Sequence, residues 1–141
     1  MQQPVATTEA TLRVLRTIHG ALFCSILLYV VVIVQISPQD PRGNATVLLT
    51  PLGILSVLIL GIAFFVRSRK IRPAFETLQT KPDDAESLRR WRVGALVSAA
   101  LAESVVLYGV AIHFMGGTGR QAAPFFIAGA VAMLAWWPRR P

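Results

Sequence analysis

Charge is the scarcest property of this chain. Only 15% of its 141 residues are charged, against about 25% in soluble domains. That shortage excludes an ordinary solvated globular surface. Cysteine is nearly absent: Cys24 stands alone inside an apolar run, so no disulfide within the chain and no cysteine-based metal centre can form, and the residue reads as a small packing group. No Gly-rich phosphate loop, Ser-His-Asp set or His-x-x-x-His arrangement occurs. The polar segments are too short for a catalytic domain, so neither an enzyme nor a cofactor nor a metal is expected.

Apolar sequence is what the chain has in abundance, with 54% hydrophobic residues and a mean hydropathy of +0.57. Uninterrupted apolar stretches cover residues 17–36, 47–66, 93–115 and 122–137. The first three have the roughly 20 residues that cross about 30 Å of hydrocarbon as helix. The fourth is shorter and must stand upright, extend at its ends or thin the bilayer. Pro51 and Pro124 fall near helix starts, where a missing N–H matters little. The first stretch is too long, and lacks the small-x-small cleavage pattern, for a removable signal peptide. The expected fold is all-α: one membrane domain over 1–141, a four-helix transmembrane bundle of two antiparallel hairpins.

Net charge is +7 with a pI near 11.1, which by itself suits nucleic acid. The distribution argues against that partner, because the basic residues flank apolar runs instead of lining a soluble face. Twelve of the fourteen Lys and Arg residues lie before the first span, in the 67–92 loop or after the fourth span; Arg42 and Arg120 lie opposite. The positive-inside rule then places both termini and the 67–92 loop in the cytoplasm, as a multi-pass protein of the cell inner (plasma) membrane. Trp91, Trp136 and Trp137 fall at the same interface. With Arg67, Arg69, Lys70 and Arg72 they are the expected contacts to lipid headgroups.

The outer connections, 37–46 and 116–120, are short, so each joined pair of helices is expected to pack as antiparallel neighbours. Asn44-Ala45-Thr46 matches a glycosylation sequon by chance beside the second span. Inside the basic loop, Ile71, Phe75 and Leu78 mark a short amphipathic helix expected on the membrane surface. Thr80 to Asp83 and Asp83 to Glu86 resemble capping boxes, and Glu86 precedes Arg90 by four residues. The third long helix should therefore start near residue 83, before the membrane.

One residue breaks the apolar pattern. Glu103 is the only charged residue between Val93 and Met115, and a carboxylate at mid-bilayer is expensive enough to need a reason. Counting helical rise from the flanking arginines places Tyr29, Ser56 and Glu103 in one layer, with Ala128 and Gly129 of the fourth span beside them. Ala95, Ala99 and Ala100 on its own helix leave room for close packing. Two outcomes stand open: a carboxyl hydrogen-bonded to Tyr29 or Ser56 that helps helices dock, or one that exchanges a proton or holds Na⁺. His19 and His113 lie near opposite ends of their spans, which excludes joint haem ligation and leaves an interface and a helix-end histidine.

Residues 100–112, Ala-Leu-Ala-Glu-Ser-Val-Val-Leu-Tyr-Gly-Val-Ala-Ile, resemble the ion-carrying helix of rotary ATP synthase c subunits, which carries a carboxylate, then Ser or Thr, then Tyr-Gly and an apolar tail. The resemblance implies Glu103 as ion carboxylate, Ser104 as hydroxyl ligand and Tyr108 as a hydrogen-bonding neighbour. It covers thirteen residues; the whole layout looks like the small four-span membrane proteins of bacteria. Two functions are thus expected: an accessory or assembly subunit of a membrane complex, partnered by other subunits or by its own copies within the bilayer, or a proton- or Na⁺-handling protein.

Overall fold

The structure, a computed structural model, describes residues 7–36, 45–82 and 84–140. Its elements are helices α1 (Thr8–Gln35), α2 (Ala45–Val66), α3 (Arg72–Thr80), α4 (Ala85–Phe114) and α5 (Gly119–Ala135), with a π-helical turn, Arg67–Ile71, joining α2 to α3. Three helices are long and apolar enough to cross a membrane, and α5 is a shorter apolar helix. The fold is an all-helical bundle. Asn44 of the sequon and Arg42 lie outside the described residues.

Helix ends are set by local chemistry. Thr7 caps α1 by accepting from the Ala10 N–H, and Asp84 caps α4 by accepting from the Ser87 N–H at 2.9 Å. The α4–α5 turn closes both ends it joins. Gly117 N–H donates to Ile112 O and Gly116 N–H to His113 O, with Gly116 at φ 86°, so α4 ends in a Schellman motif. Thr118 and Gln121 then form a capping box at the start of α5. A side chain at Gly117 would strike Ile112, so this tight reversal needs both glycines. Pro51 and Pro124 lie inside α2 and α5, each in the second turn.

α4 is the axis of the bundle. Gly129 of α5 rests on Ala102 and Val106, and Gly109 of α4 rests on Ala122 and Phe126, small residues that let the two backbones approach closely. α2 runs antiparallel to α4, with Ala45 beside Val105 and Ile112 at one end and Ile71 against Gly94 at the other. α1 runs parallel to α4: Leu12 and Leu15 meet Leu88 and Trp91, and Ile26 meets Ala99 and Ala102.

One expected contact is replaced. α1 and α2 are antiparallel but do not pack on each other; among the described residues no Cα of one lies within 8 Å of a Cα of the other. They sit on either side of the α4–α5 pair, which forms the short diagonal of a rhombus. Consequently a strip of α4 between α1 and α2, including Val93, Val97, Ala100, Leu107, Ala111 and Phe114, is exposed.

The amphipathic helix also has a different cover. Ile71, Ala74 and Leu78 are buried, Leu78 to 2% exposure, against Leu12, Leu15, Leu88 and Trp91. The π-turn and α3 therefore lay Ile71, Ala74 and Leu78 on α4, in a cluster that Leu12 and Leu15 of α1 join, while Phe75 of the expected face stays partly exposed. Trp91, 3% exposed, is a core residue of this end and not a lipid-facing anchor. The chain ends meet here too: Thr8 hydrogen-bonds to Pro82, and Glu9 pairs with Arg140.

Candidate functional site

Glu103 sits at a seam. Leu96, Glu103 and Val110 follow each other at seven-residue spacing and so form one line along α4. Leu96 packs on the cluster containing Leu12 and Leu15 of α1, and Val110 on the one containing Ile26, with Tyr29 and Ile33 alongside. Next around the helix come Ala100 and Leu107, both exposed. Glu103 is partly exposed, at the edge where α1 meets the open strip of α4. Among the described residues it makes no hydrogen bond or ion pair.

The residues grouped with it by depth are distributed around it. Tyr29 packs on the cluster of Ala102 and Val106, on the α1 side that Glu103 borders. Gly129 lies against Ala102, level with the carboxylate. Ser56 is buried on α2, and its hydroxyl donates to Leu52 O at 2.8 Å in its own helix. The Ser104 hydroxyl likewise donates to Ala100 O at 2.9 Å. Tyr108 packs with Ala45, Val105, Ile112 and Phe125 on the α2 side of α4, roughly 140° around the helix from Glu103. The set does not converge on one point. Of the three alanines, Ala95 and Ala99 are buried and Ala100 is open.

The residues expected at lipid headgroups are sorted by the π-turn into two cavities flanking α3. Arg67 and Arg72 line one of about 410 Å³ together with Trp91, Trp136, Trp137 and Arg139. Arg69 and Lys70 line the other, of about 420 Å³, with Arg89, Arg90 and Glu86. In the first, the Arg67 guanidinium lies over the Trp136 ring, 5.6 Å from its centroid. Burial, and then the Arg139 charge, push the Arg67 pKa below its usual value. In the second, Glu86 accepts from Arg90 at 2.8 Å, and Arg69 lies over Phe65.

Both histidines are buried and join helices, a role their sequence positions do not reveal. His19 Nε2 lies 2.9 Å from the Met133 carbonyl, near the end of α5, and its ring meets Trp137 edge-on. His113 Nε2 lies 2.8 Å from the carbonyl of Ile36, which terminates α1. Each imidazole donates to a carbonyl at a helix C-terminus that has no partner within its own helix. Arg16 adds a contact to Pro138 O at 3.3 Å. Cys24 is exposed on α1, and no group of His, Cys, Asp and Glu suited to a metal occurs among the described residues.

Comparison with protein families, curated proteins and solved structures finds no match for the chain. Function is therefore read from the residues alone.

Proposed function

We propose that the protein is a non-enzymatic accessory or assembly subunit of a membrane complex, lying in the inner (plasma) membrane of a bacterium with both termini and the 67–92 end in the cytoplasm. Its docking surface is the strip of α4 left open between α1 and α2. The occupant is a transmembrane helix of another subunit that offers a hydrogen-bonding side chain at the depth of Glu103.

One observation carries this reading: a mid-span carboxyl at the rim of an apolar strip, without a partner among the described residues. An unpaired polar group in hydrocarbon costs several kcal/mol, and a second helix laid in the strip both covers the strip and pairs the acid. Cytoplasmic placement of the basic end rests on the Lys and Arg asymmetry. The ion-handling alternative needs ligands gathered around Glu103, and Tyr108 lies on the other side of α4.

The test compares Glu103→Gln with Glu103→Leu in the native membrane, reading the complex by co-purification in mild detergent. A hydrogen bond between membrane helices contributes about 0.6 kcal/mol and up to about 1.7, so Leu should weaken association by about three- to seventeen-fold while Gln keeps it. Unchanged association in the Leu variant contradicts the docking role. Proton or Na⁺ flux in proteoliposomes that is lost with Gln supports the ion-handling alternative instead.

A further inference from the structure

The cavity beneath the π-turn combines features that no packing requirement explains. Three arginines, Arg67, Arg72 and Arg139, line it, and among the described residues no Asp or Glu does. Among the described residues the ion pairs are Arg72–Glu76, Arg90–Glu86 and Arg140–Glu9, so Arg67 and Arg139 have no carboxylate partner. The Arg72–Glu76 contact is long, at 3.7 Å, with both side chains largely in solvent. Like charges held together around a partly buried space repel, and among the described residues no carboxylate lines the space to offset them.

Apart from Ser68, the rest of the wall is apolar or aromatic and continues from the end of the apolar helix α2. Phe64, in the last turn of α2, is 67% exposed, and Phe75, Ala95 and Ala135 continue the lining. The Arg67 guanidinium lies over the Trp136 ring, 5.6 Å from its centroid, and among the described residues it makes no ion pair, which leaves its donors available to a ligand. Gly94 lets Ile71 approach α4 closely enough to seat the π-turn; a Cβ there would come within 2.6 Å of Ile71. The space is therefore cationic at the membrane surface and greasy toward the hydrocarbon, and its volume falls in the range of small-molecule sites.

We infer that this cavity binds the headgroup of an anionic phospholipid, with the phosphate between Arg67, Arg72 and Arg139 and the upper acyl chains along Phe64. Phosphate suits the guanidinium fork, which donates two parallel hydrogen bonds to paired oxygens. A lipid fits better than a free anion because the apolar wall opens where acyl chains lie. The site is independent of Glu103, and it works in whichever leaflet the basic end occupies.

The experiment uses full-length protein purified in detergent and titrated with phosphatidylglycerol or phosphatidylcholine, bound lipid being read by native mass spectrometry. A basic side chain at an anionic lipid surface contributes about 1 kcal/mol, or about five-fold. Phosphatidylglycerol should bind at least about ten-fold more tightly than phosphatidylcholine. Arg139→Gln, at the exposed chain end, should weaken it about five-fold, and Arg67→Gln with Arg139→Gln about 25-fold. Arg69→Gln with Lys70→Gln removes the same charge from the opposite cavity and should change binding less than two-fold. Circular dichroism checks that each variant stays helical, and the single Arg139 variant keeps the test decisive should the double one unfold. Equal affinity for both lipids overturns the inference, as do equal losses from the two double variants. Tight binding of inorganic phosphate that displaces the lipid assigns the site to a free anion and overturns the lipid source.

Discussion

Replacing Gly129 by Ala should destabilise the bundle, although alanine is the better helix former. A Cβ at Gly129 would lie 2.3 Å from Val106 Cγ2 and 2.9 Å from the Ala102 carbonyl oxygen. Val106 is 0% exposed and cannot swing aside, and the carbonyl is backbone, so α4 and α5 must part by about 1 Å to restore ordinary contact. Overpacking of that kind costs about 1–3 kcal/mol, against up to about 1 kcal/mol gained in helix propensity. With the full propensity gain subtracted, the net is a loss of up to about 2 kcal/mol, or a few degrees in thermal midpoint for a chain of this size. Gly61→Ala is the matched control: nothing lies within 4 Å of its Cβ, so only the propensity gain remains and the midpoint should stay or rise. Both are read from loss of helicity on heating in detergent. A Gly129→Ala protein at least as stable as the parent, or two variants that fall together, refutes the close α4–α5 packing.

Three further outcomes follow from the same geometry. His19→Leu leaves the Met133 carbonyl without its 2.9 Å donor and should lower stability by about 1–3 kcal/mol, while His19→Gln, which keeps an N–H, should recover part of it in the same melt. The Asp84 carboxyl is held below its usual pKa, first by its hydrogen bonds with Ser87. A depressed carboxylate stabilises the fold above its unfolded value near 3.9 and loses that contribution as pH falls through the folded value. Protection of the Ser87 amide should therefore decline only below about pH 4, and Asp84→Asn should remove that dependence in hydrogen exchange. In a Cys24→Ser background, a membrane-impermeant maleimide should label Thr118→Cys in intact cells, and should label Thr77→Cys only after permeabilisation; the reverse pattern overturns the assigned orientation.

The helices were legible because hydropathy reports length and polarity directly, and the apolar stretches at 17–36, 47–66, 93–115 and 122–137 each lie largely within one of α1, α2, α4 and α5. What covers each apolar face was not legible. Periodicity marks Ile71 and Leu78 as one face, yet lipid and protein are equally good solvents for it, and only the fold shows α1 and α4 there. Loop length implied that α1 and α2 would touch, but it bounds a distance without choosing between corners of the bundle. Depth counting set Glu103 level with Gly129 and left open which flank of α4 it occupies. Arg139 read as a chain-end charge because its neighbours Arg67 and Arg72 are distant in sequence. The two histidines were opaque for the same reason: the carbonyls they reach, Met133 and Ile36, belong to other helices.

The pairing of Glu103 with a group outside this chain is tested most directly by a photo-crosslinking residue at Leu107, which is exposed on the open strip one turn from the acid. Illumination in the native membrane should give a discrete adduct with a second transmembrane polypeptide, retained with Glu103→Gln and lost with Glu103→Leu. Crosslinks to lipid alone, or an adduct indifferent to both substitutions, would contradict it.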